Sequence, residues 1–152
     1  MKTLTLIFLL VMSYSCHALE KTTGLNNVMS SIEDVWKLVE YKQENSEKVW
    51  FFRKNIGAKT LRGHDSLTTL VYFTVEYSSD DETGLPSKSD TNKLYDFEDN
   101  VIPLVEAEAG CILVASVIKE GIKDHLFYVS DAKTFLDSIS KYKASLNGFN
   151  VS

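Results

Sequence analysis

The chain has 152 residues, a length that fits one domain. Hydrophobic residues make up 44% of it, with only two prolines and seven glycines, so the composition excludes a disordered chain. The formal net charge is −5, which argues against nucleic acid and anionic lipid as partners and is compatible with a basic protein partner.

The first 18 residues have the pattern of a secretory signal peptide. Lys2 precedes "TLTLIFLLVMSY", an uncharged stretch that is too short for a membrane span, which takes about 20 apolar residues. Cys16 and Ala18 are small, which predicts cleavage after Ala18 and a periplasmic or secreted protein. The alternative is a lipoprotein cleaved before Cys16, with a lipid on that residue. No second long apolar stretch follows, so we expect no membrane span.

We divide the remaining chain into a flexible leader at 19–34, a single domain at 35–146 and a C-terminal tail at 147–152. The leader is polar and weakly patterned. Cys111 is the cysteine that follows the predicted leader, and it lies in the apolar run "GCILVASVI". A lone cysteine cannot form an internal disulfide, so we interpret Cys111 as a small buried hydrophobe.

The first half of the domain has the pattern of three strands. "VWKLVEYKQ" and "EKVWFFRKNI" are rich in β-forming residues and are separated by the turn-like "ENS", which predicts a hairpin. After a loop, "LTTLVYFTVEYSS" predicts a third strand, because Val71, Phe73 and Val75 recur at every second position.

A helix follows the third strand. Ser87 or Ser89 can cap its start, and Pro103 is expected to kink or end its first segment. Apolar residues at helical spacing predict its buried stripe: Leu94, Phe97, Val101, and Leu104 or Val105.

The second half of the domain predicts two strands and a helix. "CILVASVIKEG" and "IKDHLFYVSD" are the strands, joined by a tight turn at Glu120 and Gly121. Asp131 is expected to cap the final helix. Its predicted buried face consists of Phe135, Leu136, Ile139 and Tyr142.

The predicted order is therefore β-β-β-α-β-β-α. Strands joined by hairpins and followed by helices indicate an α+β fold, with an antiparallel sheet of about five strands and two helices on one face. The β-α-β-β-α portion is most of a ferredoxin-like unit.

Four stretches together resemble the bacterial family known as domain of unknown function 695 (DUF695). They are "VWFFRKNIG", "TGLPSKSDTNKLYDFEDNV", "CILVASVIKEG" and "HLFYVSDAKTFL", within the span from Trp36 to Tyr142. The resemblance implies a small α+β domain, often ferredoxin-like, and supplies no reaction. The family is distantly similar to regulators of ribonuclease activity. That role is not carried over, because an exported protein would not meet a cytosolic ribonuclease.

No catalytic or metal-binding motif is present, so we expect no cofactor and assign no catalytic residues. The sequence has no H-x-x-x-H, C-x-x-C or G-x-S-x-G pattern. His125 is expected on a strand face with Phe127 and Val129, as a half-buried or edge side chain. The helix acids Asp96, Glu98 and Asp99 are expected to face water, because apolar residues fill the buried stripe.

Four residues are candidates for binding a partner protein. Arg53 follows two phenylalanines in a strand, where it can bind an anion or, more simply, pair with an acid of the sheet or helix. Trp36, Trp50 and Tyr72 would form an exposed aromatic patch if one face of the sheet carries no helix.

The sequence therefore predicts an exported, non-catalytic domain that binds a protein partner, with an immunity or inhibitor role against a basic toxin as one version. One alternative is a hydrolase whose site is assembled from scattered residues such as Arg53, His64 and Asp124. Another is a lipid-anchored envelope component attached through Cys16.

Overall fold

The computed structural model describes residues 27–80 and 82–152. The predicted signal peptide, with Cys16 and Ala18, lies outside the described residues. Glu33–Ser152 form one compact unit, and the described residues before it, 27–32, belong to a separate first unit. In the described part of the first unit, residues 27–30 are helical. In the described ranges, no helix has both the length and the apolar character that a bilayer crossing requires.

The second unit is a mixed α+β structure. Its strands are β1 (Trp36–Lys42), β2 (Val49–Asn55), β3 (Thr69–Glu76), β4 (Cys111–Lys119), β5 (Ile122–Val129) and β6 (Asn150–Val151). Its α-helices are α1 (Lys88–Asn100), α2 (Ile102–Ala109) and α3 (Ala132–Lys141), and two short 3-10 helices span Gly57–Leu61 and Lys143–Leu146.

The six strands form one antiparallel sheet in the order β1-β2-β4-β5-β3-β6. The sequence predicts about five strands, and the sixth is β6, which lies in the segment interpreted as a tail. β6 has two residues and pairs with Val75 and Glu76 of β3. A strand this short carries no alternating pattern, so its pairing depends on where the chain returns after α3.

One face of the sheet carries the helices and the main core. Phe127 and Val129 of β5 and Val75 of β3 are fully buried there. Each of the three α-helices buries side chains in this cluster: Leu94, Phe97, Ile102, Val105, Ala109, Phe135 and Ile139. Cys111 also lies in the cluster with no exposed surface, so its interpretation as a buried hydrophobe is confirmed.

The helix boundaries follow local chemistry. Ser87 accepts a hydrogen bond from the backbone N–H of Asp90, and Asp131 accepts one from Thr134, so both predicted caps form. The predicted helix divides in two, because Pro103 lies in the first turn of α2 and α1 has ended at Asn100. The sheet is therefore covered by three helices, where the sequence predicts two.

The turn between β4 and β5 is also as predicted. Glu120 and Gly121 both have positive φ angles, 38° and 86°. Two such residues form the tight turn that matches the twist of paired strands, and glycine adopts this conformation without strain. The turn aligns β5 against β4, with a register shift between Leu113 and Ala115.

The predicted buried face of α3 is wrong at one position. Phe135 and Ile139 are buried, but Leu136 is 57% exposed. Ser138, which is 3% exposed, occupies the buried stripe instead. Phe135, Ser138 and Ile139 are spaced three and four residues apart, so they fill one side of the helix and direct Leu136 to solvent.

We predict that Phe135→Ala lowers the free energy of unfolding by about 3–5 kcal/mol, because it opens a cavity against Phe127, whose ring centroid lies 4.9 Å away. The matched control, Leu136→Ala, changes it by no more than about 0.5 kcal/mol, because that side chain is exposed. Urea denaturation followed by circular dichroism measures both. Equal losses would contradict the burial pattern described for α3.

Candidate functional site

The sheet face opposite the helices, here called the open face, carries a set of exposed apolar side chains. Because side chains alternate along a strand, this face receives the neighbours of the core residues. On β1 and β3, Val39, Tyr41 and Tyr72 are 46%, 50% and 57% exposed. Val39 and Tyr41 lie together on the edge strand, and exposed apolar side chains grouped in this way are typical of a surface that binds another protein.

An apolar groove lies at the β1-β2 end of the open face. It has a volume of about 410 Å³ and is lined by Val39, Tyr41, Gln43, Trp50 and Phe52. Register places Val39 opposite Phe52 and Tyr41 opposite Trp50, so the hairpin itself builds this aromatic groove. The ring centroids of Tyr41 and Trp50 are 5.8 Å apart.

Trp50 is held in place by the turn between β4 and β5. Its indole Nε1 donates a hydrogen bond of 3.2 Å to Glu120, and the ammonium of Lys119 lies 5.9 Å from its ring centroid. The indole of Trp50 is therefore oriented before any partner binds, which reduces the entropy lost on association.

The predicted aromatic patch divides between the two faces. Trp50 and Tyr72 lie on the open face. Trp36 lies on the helix side, where it packs against the core and its ring lies 4.8 Å from the guanidinium carbon of Arg53. Trp36 also donates a hydrogen bond from Nε1 to Asp34. The difference follows from strand parity, since Trp36 is opposite Asn55 and Trp50 is opposite Tyr41.

A cluster of four charged or titratable side chains, here called the ionic cluster, lies on the helix side of the sheet. It consists of Arg53 on β2, Glu98 on α1, and Lys123 and His125 on β5. Glu98 Oε2 accepts a hydrogen bond from Arg53 Nη1. Glu98 Oε1 lies 2.9 Å from Lys123 Nζ and 3.2 Å from His125 Nε2. One carboxylate thus contacts side chains from two strands.

The ionic cluster is largely closed to solvent. The side chains of Glu98, Lys123 and His125 are 5%, 1% and 0% exposed, and that of Arg53 is 32% exposed. The contacts of Glu98 Oε1 with Lys123 and His125 have ion-pair distances but lie off the line of a good hydrogen bond. The contact with Lys123 is therefore mainly an attraction between opposite charges.

The cluster shifts the pKa of each buried member. Burial alone would raise the pKa of Glu98, but the neighbouring His125 and Lys123 outweigh burial and lower it to about 2. Burial lowers the pKa of His125 below 6.5 and that of Lys123 below 10.5, and Glu98 opposes both shifts. Glu98 is thus ionised at neutral pH and compensates the charge of Arg53 and Lys123.

Glu98 and Lys123 are buried charged residues that the sequence analysis did not predict. The prediction that Glu98 faces water is wrong, although Asp96 and Asp99 are exposed. Glu98 is four residues after Leu94 and three before Val101, so it belongs to the same buried stripe. Lys123 was missed as well, although it lies two residues before His125 on the inward face of β5.

Arg53 pairs with Glu98 of α1, which is the simpler of the two roles predicted for it. His125 shares a face with Phe127, as predicted, but it is fully buried. The Nδ1 of His125 lies 3.4 Å from the carbonyl oxygen of Phe73, so acceptors face both ring nitrogens. A neutral imidazole has one N–H and can donate to only one of them.

The three residues of the predicted hydrolase site do not meet. Arg53 lies on the helix side, whereas Asp124 lies on the open face, where Thr74 Oγ1 donates to it at 2.7 Å and Lys119 Nζ is 3.6 Å away. His64 lies in the loop after the first 3-10 helix and accepts a hydrogen bond from the backbone of Ser66. Across residues 27–80 and 82–152, no three His, Cys, Asp or Glu side chains are grouped to hold a metal ion.

We predict that Glu98→Gln lowers the free energy of unfolding by about 3–5 kcal/mol at pH 7, because it leaves Arg53 and Lys123 without a compensating charge. The control is Asp96→Asn, an exposed carboxylate on the same helix, with a change of no more than about 0.5 kcal/mol. Denaturant titration measures both, and similar values for the two variants would contradict this role for Glu98.

Denaturant titration of the wild type and Glu98→Gln at several pH values tests how the contribution of Glu98 to stability depends on pH. The pKa of Glu98 is lower in the folded protein than its usual 4.5, so its contribution is complete above about pH 4.5 and is lost as pH falls toward about 2. The difference between wild type and Glu98→Gln is therefore expected to shrink over that range.

Comparison with known proteins identifies a family. The family model described as "Family of unknown function (DUF695)" matches residues 34–151, which cover all six strands and all three α-helices. No curated protein and no solved structure matches the chain. The chain belongs to the DUF695 family of unknown function.

Proposed function

We propose that the protein is an exported, non-catalytic domain that binds another protein through the open face of its sheet. The observation that carries this proposal is the aromatic groove, where Tyr41 and Val39 are about half exposed beside a fixed Trp50. Aromatic anchors held in a concave surface contribute most of the binding free energy in many protein interfaces. The export component depends on the pattern of the first 18 residues.

The partner we propose is a basic protein with a projecting apolar side chain. A volume of about 410 Å³ accommodates one large side chain from a partner. The chain has 21 acidic and 16 basic residues, so its net field attracts a positively charged surface and repels an acidic one. Neutralisation of a basic toxin, as an immunity protein or inhibitor, is one activity of this kind.

A catalytic role has less support. The ionic cluster contains a carboxylate, an imidazole and an ammonium, which are groups that transfer protons. Glu98, Lys123 and His125 are nevertheless almost fully enclosed, and Arg53 contacts Glu98 and Trp36. We therefore assign the cluster a role in holding the sheet and α1 together.

We also propose that the part of the domain from β3 to β6 is ferredoxin-like. Its element order is β3, α1 with α2, β4, β5, α3 and β6, which is a β-α-β-β-α-β arrangement. The sheet order β4-β5-β3-β6 supports this proposal, with the β1-β2 hairpin added beside β4. The aromatic groove then belongs to an extension of the ferredoxin-like unit.

The binding proposal predicts partner contact at Tyr41. A photo-crosslinking amino acid at Tyr41 should capture a basic protein in cells, whereas the same group at Tyr95 on α1, which is 44% exposed, should not. With both proteins purified, Trp50→Ala should weaken binding by about 2 kcal/mol in calorimetry, because it removes a wall of the groove.

Tyr95→Ala serves as the matched control, since it removes an exposed aromatic ring from the helix side. Equal crosslinking at Tyr41 and Tyr95 would contradict the proposal. So would a partner whose affinity is the same for the Trp50→Ala variant and the wild type.

The export proposal predicts a mature protein that begins at Leu19, because cleavage follows Ala18. Intact mass measurement of the protein from cell-envelope and medium fractions checks this. A mature chain that begins at a lipid-modified Cys16, with labelling by palmitate that is lost in Cys16→Ser, would instead show the envelope lipoprotein. Protein that retains Met1 to Ala18 in the cytoplasm would contradict export.

A further inference from the structure

Strand β1 is an edge of the sheet with a row of outward-facing backbone groups. Hydrogen bonds join the backbone of Ile56 to Val35, and that of Gln43 to Lys48, at the two ends of the β1-β2 ladder. In an antiparallel ladder the paired residues alternate, so the odd-numbered residues of β1 bond to β2. The N–H and C=O groups of the even-numbered residues face away from β2: Trp36, Leu38, Glu40 and Lys42.

This edge carries exposed apolar side chains on both of its faces, interspersed with Lys37, Glu40 and Lys42. Leu38, on the helix side, is 60% exposed, and Val39 and Tyr41, on the open face, are 46% and 50% exposed. Edge strands that remain unpaired are usually short or protected by charge, since an exposed apolar edge pairs readily with another strand. β1 has seven residues, and all but the first are exposed to solvent.

We propose that β1 pairs with β1 of a second copy of this chain, antiparallel about a two-fold axis at Val39. In this register Val39 faces Val39, Lys37 faces Tyr41, and Leu38 faces Glu40. Trp36 faces Lys42. The outward-facing groups at even-numbered positions then meet each other, as an antiparallel ladder requires.

The charges of β1 select this partner and this register. No like charges are directly opposite each other, and Lys37 of each copy lies opposite the exposed ring of Tyr41 of the other. A two-fold axis at Glu40 would oppose two glutamates. An axis at Leu38 would leave Tyr41 and Lys42 outside the ladder. The strand is therefore complementary to itself in one register that uses all seven residues.

The dimer has a consequence for the open face. A two-fold axis perpendicular to the sheet joins six strands from each copy and keeps both sets of helices on one side. Val39 and Tyr41 line the aromatic groove, so the grooves of the two copies adjoin across the axis. This inference goes beyond the proposed function and is tested on the purified protein without its partner.

Disulfide trapping tests the register. In the proposed ladder Val39 and its copy form a non-hydrogen-bonded pair, with Cα atoms about 4.5 Å apart, which is within the range that a disulfide bridges. Val39→Cys in the full chain should give a covalent dimer under mild oxidation, with residue 39 joined to residue 39 in peptide mass mapping.

Two control variants carry one introduced cysteine each and the same native cysteines as Val39→Cys. Tyr72→Cys places the cysteine on the same face of the sheet but on β3. Tyr41→Cys places it on β1, where the proposed register sets it opposite Lys37 of the second copy and not opposite residue 41. Both should form a self-linked dimer at least about tenfold more slowly, because their Cα atoms lie outside the bridging range. Equal rates for Val39→Cys and Tyr72→Cys would overturn the proposal, and a faster rate for Tyr41→Cys would overturn its register.

Sedimentation velocity over a wide range of concentration tests the association itself. The wild type should show a reversible dimer. Val39→Lys should raise the dissociation constant by about tenfold or more, because it places two lysines opposite each other at the axis. Tyr72→Lys, on the same face but away from the edge, should leave the dissociation constant unchanged, because Tyr72 is also exposed in the monomer.

A monomeric wild type at every concentration would overturn the proposal. So would equal behaviour of Val39→Lys and Tyr72→Lys in protein that thermal melting shows to be folded. Binding of a different protein to β1, in place of a second copy, would also overturn the proposal. Crosslinking at residue 39 detects that outcome, because the mass of the linked peptide identifies the partner.

Discussion

The second unit depends on one buried carboxylate. Glu98 extends from α1 and contacts Arg53 of β2 and both Lys123 and His125 of β5. Buried charges are tolerated only when they are compensated, so the loss of Glu98 would leave the charges of Arg53 and Lys123 uncompensated at a large cost in stability. The carboxylate therefore links α1 to β2 and β5, beside the apolar core that contains Phe97 and Phe127.

All three helices pack on one side of the sheet, so the other side is left without a helical cover and exposes its side chains. The ionic cluster and the apolar core occupy the helix side, and the same alternation of side chains directs Trp50, Phe52 and Tyr72 to the opposite side. A domain of this size has few ways to cover both faces of a six-stranded sheet. The chemistry that stabilises the fold and the surface proposed to bind a partner are thus consequences of one arrangement.

The hairpin of β1 and β2 contributes the aromatic groove and ends the sheet at an exposed strand. Both features require the hairpin to lie beside β4, where Phe52 is paired with Val117 and Lys119 reaches Trp50. Membership of the DUF695 family extends over this hairpin as well, since the family match begins at residue 34. The groove and the edge strand are therefore part of the family domain rather than an appended segment.

Periodicity and capping residues along the sequence determined strands β1 to β5, the helix caps at Ser87 and Asp131, the break at Pro103 and the turn at Glu120, because these depend on neighbours in the chain. Tertiary structure alone decided the rest. The order of strands, the pairing of β6, the separation of Trp36 from the open face and the convergence of Arg53, Glu98, Lys123 and His125 all join residues that are distant in sequence. A pattern of spacing shows which face a side chain occupies, but only packing decides what that face meets.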